Sequence, residues 1–218
     1  MTTALVTGAN RGIGYELSKQ LKARGHDVIA VCRKSSPELD RLGVRVEAGI
    51  DVADAANDLA KRVEGTELDL LVANAGILRS DNLADLDFSS VIDQFQVNAV
   101  GTLRSVHALL PRLRKGAKIA LITSRMGSIA DNGSGGYYGY RMSKAALNAA
   151  GVSLARDLKA RSIAVAILHP GYVRTDMTGN QGGIEPSEAA AGLLTRIDAL
   201  DLQNSGTFWN AKGEILPW

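Results

Sequence analysis

The chain has a single cysteine, Cys32, among 218 residues, so it forms no internal disulfide. A lone thiol suits a reducing compartment. Histidine is almost as scarce: three, at positions 26, 107 and 169. Scattered in this way and joined by one cysteine, they offer no metal-ligand spacing, and no metal is expected. No apolar run approaches the ~20 residues needed to cross a bilayer. The opening MTTALVTGAN lacks a positively charged leader and runs straight into a strand pattern, so it does not read as a signal peptide. A cytoplasmic protein is expected, with no membrane partner. Excess charge of one sign is missing too. Lys and Arg total 25 against 23 Asp and Glu, a net +2, which argues against nucleic acid as a partner. The densest basic groups, Arg112/Arg114/Lys115/Lys118 and Arg41/Arg45, read as solvated helix ends and loops. No internal repeat, low-complexity stretch or linker interrupts the chain.

What remains is an ordinary globular composition, 45% hydrophobic and 22% charged. The length is enough for one domain, 1–218, with a substantial core. Short apolar runs, 4–7, 28–31, 44–48, 68–73, 119–123 and 163–168, are rich in Val, Ile, Leu and Ala and do not alternate with polar residues. Strands buried on both faces of a parallel sheet read this way. Helical patterns fill the intervals at about 12–24, 53–64, 88–115, 137–160 and 186–199, and a last short strand fits 206–209. The alternation predicts an α/β fold, a doubly wound parallel sheet of Rossmann type, in a single domain. Two loop-like stretches, 124–136 and 176–185, follow predicted strands. Ligands bind outside the carboxyl ends of the strands in such sheets, so these loops should flank the site. The second is short and glycine-rich and reads as an open or mobile lid.

Gly8, Gly12 and Gly14 follow the first predicted strand and open the first predicted helix. Glycine permits a tight turn and close approach of backbone to a pyrophosphate. The free N–H groups and dipole of the helix that follows favour the anion. The spacing is GxxxGxG rather than GxGxxG. An acid at the end of the second strand would hold the ribose 2′-OH of NAD, but that strand ends in VCRKSS, with Cys32 at the acid's position and Arg33 next to it. Arg11 lies inside the glycine loop. Two guanidiniums suit a 2′-phosphate, whose oxygens they pair bidentately. NADP(H) is therefore favoured over NAD(H), the alternative being that both arginines face solvent and the pocket is indifferent.

Tyr140 and Lys144, in YRMSK, stand four residues apart and share one face of a helix. A nearby lysine lowers a phenol from its ordinary value of about 10, and a phenol so tuned passes a proton near neutral pH. Beside a bound nicotinamide this pair suggests hydride transfer coupled to proton transfer at a carbonyl or alcohol carbon. Hydride delivery builds negative charge on oxygen, and Ser124, which closes the fifth predicted strand, supplies a second O–H there. Of the neighbouring tyrosines, Tyr138 has no cation at i+4 and Tyr137 has Arg141, a weaker alternative because guanidinium is more often a structural anchor. Both tyrosines read as lining the substrate pocket or packing under the loop. His169 reads as structural, His26 and His107 as surface or packing residues. Asp176 and Met177 are candidates for substrate contact, and Trp209 and Trp218 for core or oligomer packing.

The motifs TGANRGIG (7–14), IDVAD (50–54), ANAG (73–76), QVNAVG (96–101), ITSRMGS (122–128), YRMSK (140–144) and HPGYVRTDM (169–177) occur in the order and approximate spacing of the short-chain dehydrogenase/reductases, which the chain resembles essentially from end to end. Within that family the stretch from Ser124 to Asn148 and the tail FWNAKGEILPW resemble the Sniffer- and C-factor-like carbonyl-reductase branch. The resemblance implies that Tyr140 is the general acid of carbonyl reduction. Lys144 would lower its pKa and hydrogen-bond the nicotinamide ribose, Ser124 would hold the substrate oxygen, and Asn98, in a disturbed helix, would anchor a water that links Lys144 to solvent. Gly8, Gly12 and Gly14 with the neighbouring backbone of Asn10, Arg11 and Ile13 would hold the pyrophosphate. Asp51 would contact the adenine amino group with Val52 beside it, and Asn74, Ala75 and Gly76 would brace the fourth strand near the adenine ribose. Thr175, after Pro170 and Gly171, would hold the carboxamide, with the Val173 backbone beside it.

One departure from the family pattern concerns the serine, which in much of the family lies nearer the tyrosine than Ser124, 16 residues before Tyr140, and slightly farther than Ser128, 12 before it. Ser124 ends the apolar strand and has Gly127 three residues on, as in the family pattern, which leaves Ser128 as a second contact with substrate. The expected activity is NADPH-dependent reduction of a ketone or aldehyde. Alternatives are oxidation of a secondary alcohol by the same site, and a dinucleotide-binding regulatory protein with little turnover. Members of the family usually form homodimers or homotetramers through the helices near 88–115 and 137–160.

Overall fold

In the computed structural model, which describes residues 2–54 and 56–218, the apolar runs form the strands of one parallel sheet. β1 (Thr3–Thr7) leads through α1 (Gly12–Ala23) to β2 (Asp27–Val31), then α2 (Pro37–Arg41), β3 (Arg45–Glu47), α3 (Ala56–Arg62) and β4 (Leu68–Ala73). The second half runs α4 (Phe88–Phe95), a π-helical turn (Gln96–Gly101), α5 (Thr102–Leu109), β5 (Leu113–Ile122), α6 (Tyr138–Asp157), β6 (Ala164–His169), α7 (Pro186–Asp198) and β7 (Phe208–Asn210). Among the described residues the sheet has seven strands in the order β3-β2-β1-β4-β5-β6-β7. Strand order reverses between β1 and β4, and a crevice opens there at the carboxyl edge.

The lack of alternation has a direct structural cause. Ala4, Val6, Val28, Ala30, Ile122 and Leu168 bury themselves under α1 and α7. The residues between them, such as Leu5, Ile29, Leu71 and Leu121, pack under α3, α5 and α6. Both faces are apolar, and each fully buried Leu or Ile contributes roughly 1.5–3 kcal/mol. Gly151 lets α6 lie close to the sheet, since a Cβ there would stand 2.7 Å from two side-chain carbons of Ile167.

Several expected elements differ. The single helix expected over 88–115 is α4, the π turn and α5, which gives way to a 3-10 turn (Leu110–Arg112) where Pro111 has no N–H to continue the helix bonding. β5 then starts at Leu113, not 119, and pairs Leu113 with Leu68 before a register shift. Two of the basic residues read as solvated helix ends and loops are therefore placed otherwise. Arg114 lies in a strand and pairs with Glu67 and Asp69. Lys118 Nζ donates to the carbonyls of Ile197 (2.7 Å) and Asp198 (2.9 Å), capping the C-terminus of α7. The helix expected at 53–64 spans 56–62, with position 55 outside the described residues. α2 was not expected. It starts on Ser36, whose hydroxyl accepts from Leu39 N (3.2 Å), with Pro37 at the first helical position.

Candidate active site

The glycine loop joins β1 to α1. Gly8 (φ 66°) and Gly12 (φ 54°) are left-handed, which β-carbon-bearing residues rarely adopt. A Cβ at Gly14 would lie 2.2 Å from the Gly8 carbonyl oxygen. No side chain caps α1 and no acid stands in its first turn, so its leading N–H groups face outward unpartnered by side chains. Behind the loop, Asn74 Nδ2 donates to the carbonyls of Thr7 (3.0 Å) and Gly8 (3.2 Å). Thr7 Oγ1 accepts from Asn74 N (3.0 Å) and Ala75 N (3.1 Å). The end of β4 thus locks the loop's shape.

A cleft of about 580 Å³ lies over this loop. Gly8, Asn10, Arg11, Gly12, Ile13 and Gly14 form its floor, Arg33, Asp51 and Val52 one end, and Asn74, Ala75 and Gly76 a wall, with Thr175 opposite. Pro170, Gly171 and Val173 do not line it, and neither do Tyr140 and Lys144. The residues present fit a dinucleotide: a helix start with free N–H groups, glycines packed too closely on Asn74, Ala75 and the loop's own backbone to carry a side chain, and cations at the far end. Arg33 stands 3.7 Å from Asp51 and is mostly exposed. Arg11 bonds Asp176 across the cleft at 2.9 Å, so it is not the free guanidinium expected, and Asp176 turns to the cradle. Cys32, whose thiol is pushed up by burial and by Asp40, lines the cleft at the position expected for an acid. Lys34, Ile77, Val97 and Arg174 also line it and were not singled out in sequence. Lys34 adjoins Arg33, a basic pair that was the one available signal.

Beyond the Gly76 wall lies the second group of residues. A Cβ at Gly76 would stand 3.1 Å from Asn98 Oδ1 and 3.6 Å from Lys144 Nζ, so glycine spares that junction a tight contact. Tyr140 and Lys144, both on α6, are 7% and 4% exposed. Lys144 Nζ donates to the Ile122 carbonyl (3.0 Å) and lies 5.7 Å from the centre of the Tyr140 ring. The expected lowering of the phenol is not found. Burial pushes Tyr140 up to about 12, and the Ser124 hydroxyl works the other way by stabilising the phenolate. Burial likewise brings Lys144 down to about 8. Desolvation of both charged forms outweighs their attraction. Asn98 sits in the π turn, fully buried. Its Oδ1 accepts from Ile77 N (2.8 Å), and its Nδ2 donates to Ile77 O (2.9 Å) and Ser143 Oγ (3.0 Å).

Ser124 follows β5, and its Oγ accepts from Met126 N at 3.1 Å. Gly127 lets the serine loop touch α6, since a Cβ there would fall 2.7 Å from the Lys144 carbonyl carbon. Ser128 is buried and its hydroxyl accepts from Asp131 N (3.1 Å), within its own loop. Arg141 anchors that loop by donating to Gly136 O, Met126 O and Ser134 Oγ, as expected of a structural guanidinium. Tyr137 and Tyr138 are partly exposed at the mouth of the loop. Burial and the neighbouring Arg125 bring His169 down to about 4, leaving it neutral near pH 7.

The loop read as an open or mobile lid is tied together at its two ends. Arg174 N donates to Ile184 O (2.8 Å) and Ile184 N to Tyr172 O (3.2 Å), while Arg174 pairs with Glu185 (3.0 Å). Gly182 permits this, since a Cβ there would lie 2.1 Å from the Val173 carbonyl carbon. At the other end of the chain Trp218 stacks on Phe208 at 5.5 Å. Among the described residues no group of three His, Cys, Asp or Glu is arranged to hold a metal, and no helix is long and apolar enough to cross a membrane.

Comparison with known proteins gives the same picture. Residues 2–183 match the family described as short chain dehydrogenase. The chain is 42% identical over 226 residues, all of both proteins, to 1-hydroxy-2-glutathionyl-2-methyl-3-butene dehydrogenase of Rhodococcus sp. (strain AD45). Among solved structures it is similar to the carbonyl reductase Sniffer of D. melanogaster, with 31% identity, a TM-score of 0.93 and 100% of each chain covered. It also resembles an NADPH-bound carbonyl reductase from chicken fatty liver, with 30% identity, a TM-score of 0.90 and coverage of 100% of this chain and 99% of that one.

Proposed function

The chain belongs to the short-chain dehydrogenase family and is an oxidoreductase, and from that premise we propose that it reduces a small ketone or aldehyde to the alcohol with NADPH. The observation that carries the reading is the buried Tyr140–Lys144 pair meeting the end of a glycine-built cleft at Gly76, with Ser124 beside the phenol. When bound, the nicotinamide supplies the hydride. Gly8, Asn10, Gly12, Ile13 and Gly14 would hold the pyrophosphate on backbone N–H groups, with Asp51, Val52, Asn74 and Ala75 at the adenosine end. Pro170, Gly171, Val173 and Thr175 would lie along the nicotinamide side.

The protein's part in the reaction is to hold the substrate oxygen and give it a proton. Two hydroxyls, from Tyr140 and Ser124, are available to donate to that oxygen as charge develops on it, and both are fixed before substrate arrives. Tyr140 gives up its proton. Lys144, a cation 5.7 Å from the ring centre, then faces the phenolate left behind. Asn98 fixes Ile77 and Ser143 around Lys144 and would order a water there. The preference for the phosphorylated cofactor is supported by Cys32 in place of an acid and by Arg33 and Lys34, which line the cleft next to it.

Assaying a panel of ketones and aldehydes for loss of reduced nicotinamide tests the reading. Turnover with NADPH is expected, and Tyr140→Phe should lower kcat by about 10²–10⁴-fold without loss of fold. Full turnover in that variant, or none by the wild type on any carbonyl despite cofactor binding, overturns it. The Rhodococcus relative, named as a dehydrogenase, favours a second reading, oxidation of a secondary alcohol by the same residues. A homodimer or homotetramer is part of the proposal. Phe88, Ile92 and Leu103 on α4 and α5 and Met142 on α6 are exposed apolar residues on the helices such an interface would use. The single buried thiol suits a cytoplasmic location.

A further inference from the structure

A buried carboxylate outside the group described above reaches the helix that carries the tyrosine. Asp81 is 9% exposed and lies in the irregular segment after β4 that lines the cleft as far as Ile77. That segment is fixed at every second residue. Ile77 is held through both its N–H and its carbonyl by Asn98. Arg79 N donates to Gln94 Oε1 (2.9 Å) and its guanidinium pairs with Asp93 (2.9 Å). Asp81 then takes the start of α6: its carbonyl accepts from Tyr137 N (2.9 Å), and its carboxylate from Tyr138 N and from Gly139 N (3.1 Å).

Helix α6 needs this help. Its N-cap position is Tyr137, in left-handed backbone at φ 53° and with no capping side chain. A tyrosine there is strained and offers the leading N–H groups no acceptor. The Asp81 carboxylate supplies the missing acceptors from 57 residues away in sequence. Gly139 makes room for it, since a Cβ at that position would lie 2.6 Å from Gln94 Nε2 and 3.3 Å from Asp81 Oδ2.

We propose that Asp81 is a positioning residue for Tyr140, holding the first turn of α6 in place over the end of the cofactor cleft. The inference rests on Tyr140 being the proton donor. Tyr140 is the third residue of α6, inside the turn that Asp81 holds, whereas Lys144 is one turn deeper and has its own bond to Ile122 O. Loss of Asp81 frees the tyrosine and leaves the lysine and the cleft where they were. The expected signature is a fall in kcat at unchanged cofactor affinity.

The experiment compares Asp81→Ala, Asp81→Asn and Tyr140→Phe with wild type, measuring kcat and KM for a reducible carbonyl, NADPH Kd by fluorescence titration, and Tm. Asp81→Ala should lose about 100-fold in kcat, the scale of an ångström-size misplacement, with NADPH Kd unchanged. Asp81→Asn keeps one acceptor and should lose about fivefold in kcat, again at unchanged Kd. A folded Asp81→Ala protein with wild-type kcat overturns the proposal. Should that variant not fold, Asp81→Asn decides: a lower Tm with wild-type kcat marks a purely structural cap and overturns the proposal, and a lower kcat at unchanged Kd sustains it. Tyr140→Phe separates the two levels. If it retains turnover, the reading of Tyr140 fails and this proposal with it; if it is inactive while Asp81→Ala is fully active, only this proposal fails.

Discussion

Lys144 is a cation buried without a carboxylate among its hydrogen-bond partners, so its removal should change how stability depends on pH. Burial brings the ammonium from an ordinary 10.5 to about 8. At 1.36 kcal/mol per tenfold, a charge so displaced destabilises the fold by about 3 kcal/mol near neutral pH. In the unfolded chain the amine takes up its proton as pH falls through 10.5, and in the folded protein only as it falls through about 8. Between those values the unfolded state holds more protons, so stability rises with pH across the window. From about pH 7 to about pH 10 the gain is about 2–3 kcal/mol. Tyr140 acts in the opposite sense above its unfolded value of 10.0, because its folded value is about 12 and the unfolded chain loses the proton first. Comparison with Lys144→Met cancels that contribution, since both proteins keep the tyrosine. Methionine also abandons the bond to the Ile122 carbonyl, a cost of about 1–3 kcal/mol that does not vary with pH. Urea unfolding of both proteins, without added cofactor, at steps between about pH 7 and pH 10 measures the gap. The wild type should gain on the variant by about 2–3 kcal/mol over that range. A gap that stays constant refutes the assignment of Lys144 as a desolvated ammonium.

Gly14→Ala sets a new carbon 2.2 Å from the Gly8 carbonyl oxygen; the loop has to open, at about 1–3 kcal/mol, and NADPH Kd by fluorescence titration should weaken at least about tenfold. Arg33→Ala removes a guanidinium from the phosphate end of the cleft, so KM for NADPH should rise about tenfold while KM for NADH stays the same, and equal effects on both cofactors contradict the assignment. Gly127→Ala places a carbon 2.7 Å from the Lys144 carbonyl carbon and 2.9 Å from Ala145 N. The Ser124 loop has to withdraw from α6, which should lower kcat about tenfold or more at unchanged NADPH Kd.

The parts of the molecule legible in sequence are those written locally. Strand positions could be read because residues such as Leu5 and Val6 are buried on opposite faces, which leaves an unbroken apolar run. The glycine loop could be read because Gly8, Gly12 and Gly14 solve a backbone problem within seven residues. What was hidden depends on partners distant in the chain. Asp81 looks like any loop acid until α6 is folded against it. Lys118 sits in a basic cluster whose members look alike, and only the end of α7 shows that it is a cap. Arg11 was read as open to phosphate because nothing near it in sequence foretells Asp176, 165 residues away. The glycines of 176–185 suggest mobility by composition, yet Gly182 serves to let the loop lie on Val173 and close.

The raised value of Tyr140 bears on the direction of the chemistry. At neutral pH a phenol near 12 keeps its proton, and an amine near 8 is mostly ammonium. That is the pair of states carbonyl reduction needs at the outset: a proton to give, and a cation near the place where the giving group will become negative. Oxidation needs the reverse, a phenolate ready to accept, and the burial that raises the phenol works against it. In the proposed reaction Lys144 would act on the phenolate formed when the proton leaves, where a cation 5.7 Å from the ring centre would offset a new charge that solvent does not reach. The lowering expected from the lysine is this same stabilisation of the phenolate, and in the folded protein burial outweighs it. In the proposed reaction the lysine's effect would grow as charge develops on the tyrosine, and so would favour the transition state over the ground state.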